Sequence, residues 1–224
     1  MSVEAHDQSP AEAALTAVAP LLRGWLHLVC FVLSVPAGAA LVAGAGSSRA
    51  RVAGAVYAAG LSALFGVSAA YHRRRWSPAA RRRMRRLDHA TIFVMIAGSY
   101  TPLCVVALGG GLGTAILVVV WVGAALGAAF ALFDVARKVS LASYIVLGWV
   151  MAVALPQLAH RVGGGAFALI VAGGLLYTVG GLVLARRRPD PVPAVFGYHE
   201  VWHVMVATAA TCHYLAIASV VRSG

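Results

Sequence analysis

Charge is scarce in this chain. Of its 224 residues 11% are Asp, Glu, Lys or Arg and 61% are hydrophobic, with a mean hydropathy of +0.84. A soluble domain carries about 25% charge, so this chain has too little polar surface to face water on all sides and belongs in a bilayer. Acidic residues are scarcer still, 7 against 18 Lys and Arg, for a net charge of +11. In a soluble protein that excess would suggest a nucleic acid. Here the basic residues cluster between apolar runs, so lipid headgroups and membrane orientation account for them and no nucleic-acid partner is expected. Cysteine is limited to Cys30, Cys104 and Cys212, each inside an apolar run and without paired spacing. That excludes a disulfide framework and a cysteine-based zinc site, leaving buried free thiols. Phosphate-cradling loops are missing too: Gly109-Gly110-Gly111 follows no strand and precedes no lysine, and reads as a tight turn.

What is present is a series of apolar stretches from Leu21 onward, each of roughly 20 residues and so able to cross a hydrocarbon core of about 30 Å as a helix. Seven are expected, near 25–45, 52–72, 87–108, 112–133, 139–158, 166–185 and 196–221. Residues 1–20 mix Glu4, Asp7 and Glu12 with alanines and lack the basic start and apolar core of a secretory signal; they are expected to form a loosely ordered tail before a domain covering 21–224. The fold class is thus an all-α integral membrane protein, a bundle of seven transmembrane helices. Lys and Arg are retained on the cytoplasmic side. With seven spans, all of them except Arg49, Arg51, Arg161 and Arg222 fall on one side, which sets the N-terminus in the cytoplasm and the C-terminus outside. The eight arginines between spans two and three read as a loop that anchors this topology.

The chain is organised around Gly197-Tyr198-His199-Glu200-Val201-Trp202-His203, at the start of the last span. Two imidazoles four positions apart lie on one helix face, a turn apart, as a single metal ion requires. The letters also spell the His-Glu-x-x-His string of zinc proteases, in which the Glu is the general base. The topology brings more groups to the same depth: span two ends with Ser68 and His72, span three begins with Asp88 and His89, and span seven begins with His199 and His203. Ionisable groups inside a membrane cost several kcal/mol unless paired or facing a cavity, so their coincidence at one level points to a site. Three neutral imidazoles, His72, His199 and His203, with one open position for water make a catalytic arrangement for Zn2+, which lowers the pKa of bound water to about 7. Asp88 would take a proton from that water or orient a ligating histidine, and Ser68 would donate to a developing oxyanion or steady the water. Alternatively the metal clamps spans two and seven without chemistry, and imidazoles also suit iron, nickel or copper.

Ser68-x-x-x-His72, Asp88 and His199-x-x-x-His203 together resemble the pattern of the progestin and adipoQ receptor superfamily. Its bacterial branch, the hemolysin III proteins, is the nearer likeness. Arg23-Gly24-Trp25-Leu26-His27, Ser68-Ala69-Ala70-Tyr71-His72, Arg86-Leu87-Asp88-His89-Ala90-Thr91-Ile92-Phe93, Ala97-Gly98-Ser99-Tyr100-Thr101-Pro102 and Phe196-Gly197-Tyr198-His199-Glu200 all resemble that branch, in order and spacing. The resemblance implies a zinc ion near the cytoplasmic face of a bacterial cell membrane, held by His72, His199 and His203 with Asp88 and Ser68 beside it. It also implies hydrolysis of lipid amides such as ceramide, or control of membrane fluidity and energetics.

Other polar residues have blander readings. Glu200 points about 100° away from His199 and is expected to serve a loop or the helix N-terminus. His89 and His27 are expected to be satisfied polar residues, with His27 hydrogen-bonded or packed, and His6, His160 and His213 lie away from the site. Gly123-x-x-x-Gly127 reads as close helix packing. Pro102 and Pro156 are expected to kink spans three and five. Three functions follow: a zinc hydrolase of a lipid amide or ester whose acyl chain lies in the bundle, a non-enzymatic sensor or regulator of the bilayer, and, last, a pore-forming cytolysin.

Overall fold

The computed structural model describes residues 20–133 and 137–224, with the side chains of 137–141 excepted. The expected tail, apart from Pro20 and with His6 in it, lies outside the described residues. Among those described are seven helices long and apolar enough to cross a membrane, and the only β pairing is an isolated bridge between Val192 and Phe196. In chain order the elements are α1 (Trp25–Ala43), α2 (Ser48–Arg73) and α3 (Pro78–Pro102), which continues through a π-helical stretch (Leu103–Leu108). Then come α4 (Gly110–Leu132), a broken fifth span made of α5 (Arg137–Gly148), a 3₁₀ stretch (Val150–Ala154) and α6 (Leu155–Arg161), then α7 (Gly164–Arg186) and α8 (Tyr198–Ser223).

Local chemistry explains where these elements start. Ser47 caps α2, its side chain accepting from the Ala50 N–H at 3.1 Å. Ser77 caps α3 in the same way, and Pro78 sits in its first turn, where a missing N–H costs nothing. Arg81 to Arg86, expected in a loop, are therefore helical. The apolar pattern begins only at Leu87, but the Ser-Pro start begins the helix nine residues earlier. Pro102 ends α3 proper and the helix widens into the π stretch, after which Gly109 (φ 60°) and Gly110 (φ 58°) reverse the chain in conformations that glycine adopts without strain. The fifth span breaks before Pro156, which lands in the first turn of α6. Tyr100 supports that break: its hydroxyl donates to the carbonyls of Leu147 (3.2 Å) and Gly148 (2.7 Å) and accepts from the Met151 N–H (2.8 Å).

Spans two, three and seven form the inside of the bundle. Buried residues make up 50%, 61% and 44% of their apolar stretches, against 22–28% in the other four. Lipid gives helices no hydrophobic reason to associate, so close packing has to hold them. Gly127 is covered by the Phe93 ring and Gly123 by Leu147, so the Gly123-x-x-x-Gly127 face is used within the bundle. The outward face of α4, with Val118, Val119, Val122 and Leu126 exposed, is apolar and would contact membrane lipids.

Candidate metal centre

The last turn of α2 and the first two turns of α8 meet. His72 Nε2 and His199 Nε2 are 3.3 Å apart, and one nitrogen from each of His72, His199 and His203 lies within 4.8 Å of the other two. The rings meet edge to face, with centroids 4.8 Å (His72–His199), 5.2 Å (His72–His203) and 4.5 Å (His199–His203) apart. His203 is 1% exposed and its Nε2 has no hydrogen-bond partner. A buried imidazole nitrogen without a partner is costly, and three converging nitrogen donors with one left over fit a cation. With Zn–N bonds of about 2.0–2.1 Å, tetrahedral ligands stand roughly 3.3 Å apart, which the His72–His199 pair already meets. His203 would have to close by up to about 1.5 Å. The three histidines can therefore hold a metal ion.

The helix ends that carry these histidines are held on two sides. α8 begins beneath two carboxylates: Glu200 Oε2 accepts from the Gly197 N–H at 2.9 Å and Asp190 Oδ1 from the Tyr198 N–H at 2.8 Å. Negative charge there also suits the helix dipole. Glu200 further forms a salt bridge with Arg23, so both its oxygens are occupied and it does not stand as a free base in the manner of the His-Glu-x-x-His proteases. On the other side, Gly24 (φ 77°) passes so close to α2 that a Cβ in its place would be 2.7 Å from His72 Cβ.

Ser68 and Asp88 come together one turn before His72. Ser68 hydrogen-bonds to the Asp88 side chain, and its Oγ is 2.8 Å from His27 Nδ1. When the Asp88 carboxylate is ionised it only accepts, so the serine proton then goes to Asp88 and His27 donates from Nδ1. This tautomer is inferred from the bonding pattern and leaves His27 Nε2 bare; that atom is buried without a partner. The His27 ring lies flat on His203, with centroids 3.8 Å and planes 11° apart. A cavity of about 160 Å³ adjoins His27, Ser68 and Asp88 and extends between Trp149, Tyr177 and His213.

Of the residues singled out from the sequence, His72, His199 and His203 thus form one cluster, and Ser68 and Asp88 form a pair tied to it through His27. His89 lies outside the cluster, its Nδ1 2.7 Å from the Arg85 carbonyl oxygen. His160 and His213 are elsewhere, as expected. Sequence reasoning left Arg23, Gly24 and His27 out of the site's framework. Their signal was position, since they sit at the level where α2 ends and α8 begins, but periodicity does not tell which face of α1 turns inward.

The fold and the cluster define a seven-helix membrane protein with a partly buried tri-histidine group able to hold a metal ion. The chain belongs to the Haemolysin-III related family, whose profile matches residues 15–214. It is 32% identical to "Hemolysin-3" of Bacillus cereus over 197 residues, covering 85% of this chain and 86% of that one. It is 35% identical to the "Hemolysin-3 homolog" of Bacillus subtilis (strain 168) over 133 residues, 58% and 60% of the two chains. The human "Monocyte to macrophage differentiation factor" is 30% identical over 168 residues, 72% of this chain and 67% of that protein.

Proposed function

We propose that this protein is a zinc-dependent hydrolase of a lipid amide or ester in the bacterial cell membrane, with its histidine cluster toward the cytoplasm. The observation that carries the reading is the convergence of three imidazole nitrogens within 4.8 Å, joined through His27, which stacks on His203, to an apolar cavity lined by His27, Ser68 and Asp88. The uneven distribution of Lys and Arg supports the orientation. Zinc held by His72, His199 and His203 supplies Lewis acidity for the substrate carbonyl and makes water a nucleophile at neutral pH. Asp88 takes the proton of the attacking water on a carboxylate oxygen and returns it to the leaving nitrogen or oxygen. Ser68 holds that carboxylate in one orientation, and His27 holds Ser68. The cavity, at about 160 Å³, is smaller than the 300–1,000 Å³ of usual ligand sites, so it takes part of an acyl chain while the rest lies in the bilayer.

The test combines elemental analysis of purified protein with untargeted lipidomics of cells with and without it. Asp88→Asn should keep the metal and abolish turnover of whichever lipid accumulates; undiminished turnover by that variant overturns the mechanism. A second reading is favoured by the His72–His199 contact, which ties α2 to α8: a sensor of the bilayer that the metal locks in one arrangement. Under it His72→Ala changes fluidity responses while no lipid product appears, so a product in the lipidomic comparison removes it.

A further inference from the structure

The cavity has a second polar end. Ten residues beyond His203, about 15 Å along α8, His213 lines it, and Tyr177 of α7 stands against the His213 ring with centroids 5.5 Å apart. The place is built for that ring, because it lies where a Cβ on Gly173 would come within 2.3 Å of it. Three other polar groups on the lining are turned into backbone. Ser99 donates to the Ile96 carbonyl and Thr178 to the Gly174 carbonyl, both at 2.8 Å, and Tyr100 is bound to the broken fifth span. Tyr177 differs: its hydroxyl is buried and has no hydrogen-bond partner. His213 Nε2 is 3.2 Å from the Ile170 carbonyl oxygen, so the proton sits on Nε2 and Nδ1 is left as an acceptor. Two residues on the lining of one apolar cavity, their rings 5.5 Å apart, thus hold an O–H without a partner, on Tyr177, and an acceptor nitrogen, His213 Nδ1.

We propose that Tyr177 and His213 form a subsite for a hydroxyl group on the ligand's acyl chain, about 15 Å from the histidine cluster measured along α8. A hydroxyl matches both groups at once, accepting from Tyr177 and donating to His213. A keto group uses only the tyrosine, and a plain methylene chain leaves the tyrosine hydroxyl unsatisfied, a desolvation cost that selects against it. The subsite deepens the proposed function by naming its substrate class, a hydroxylated acyl lipid, and rests on that reading only for which end is cleaved.

Binding is the test, so it does not depend on turnover. Ricinoleate and oleate differ only in a mid-chain hydroxyl, whose reach from the carboxyl group is comparable with that distance along α8. The purified full chain in detergent micelles should bind ricinoleate about tenfold more tightly than oleate, as expected for one satisfied buried hydroxyl. Tyr177→Phe should bring the two to parity while leaving the unfolding temperature of the unliganded protein unchanged or raised, because it removes a group that has no partner. Equal binding of the two fatty acids by the wild-type chain, binding of neither, or a lower unfolding temperature for unliganded Tyr177→Phe overturns the subsite. A preserved ricinoleate preference with no hydrolysis leaves the subsite standing and the proposed function fallen; hydrolysis without the preference does the reverse.

Discussion

Replacing Gly24 with alanine should loosen the histidine cluster without altering any of its members. Two costs add at this position. With φ at 77°, an alanine carries the left-handed strain of about 1–2 kcal/mol. Its Cβ would also lie 2.7 Å from His72 Cβ and 3.0 Å from Arg73 Cγ, where carbon atoms prefer about 3.5–4.0 Å. Relieving that overlap costs roughly 1–3 kcal/mol as over-packing and pushes the end of α2 away, for a total near 2–5 kcal/mol. A contact that orients a metal ligand is typically worth roughly 10–100-fold in metal affinity, so on the zinc reading the affinity should fall by about that factor. Gly110 is the matched control: its φ of 58° imposes the same strain, but a Cβ there meets nothing within 4 Å. Gly110→Ala should cost about 1–2 kcal/mol and leave zinc loading alone. The assay is thermal unfolding in detergent together with zinc content after equilibrium dialysis. A Gly24→Ala protein that matches wild type in both, or a Gly110→Ala protein that loses as much zinc, would refute the reasoning.

Three further outcomes are expected. Tyr100→Phe removes the hydroxyl that serves the broken fifth span at Leu147, Gly148 and Met151, and should lower stability by about 1–3 kcal/mol, read as a drop in unfolding temperature. Gly127→Ala sets a Cβ 2.2–2.5 Å from three atoms of the buried Phe93 ring and should cost about 1–3 kcal/mol; a double variant with Phe93→Leu should recover part of that, and strict additivity of the two changes would count against the contact. Glu200→Gln keeps a hydrogen-bond acceptor for the Gly197 N–H but leaves Arg23 without its counter-charge. Arg23→Gln should destabilise the protein more than this does, because it leaves the charge of Glu200, 4% exposed at its side chain, unpaired, whereas Glu200→Gln leaves that of Arg23, 21% exposed; comparable unfolding midpoints for the two would contradict this.

The seven spans were legible because a run of about 20 apolar residues has one physical solution in lipid. The pairing of His199 with His203, and of Ser68 with His72, was legible for a similar reason, since i and i+4 share a helix face whatever the rest of the chain does. Depth alone then brought α2 and α8 to a common level. What the letters withheld was rotation about each helix axis. Nothing local in Arg23-Gly24-Trp25-Leu26-His27 says that Arg23 reaches a glutamate 177 residues away or that His27 stacks on His203. The start of α3 was misread because hydropathy was given more weight than the Ser77-Pro78 cap. The break in the fifth span was expected at Pro156, whereas it is stabilised by Tyr100 on another helix, a contact no window along the chain contains.

His72 and His199 lie 127 residues apart, with four spans made after His72 is in place and before the final helix begins. A ribosome builds the chain from its N-terminus, so a nascent bundle holds Ser68, Asp88 and His27 as an unclosed polar cleft among lipid tails until α8 arrives. The last helix is thus the keystone of the assembly: it closes the cleft and, in the same movement, brings two of the three imidazoles.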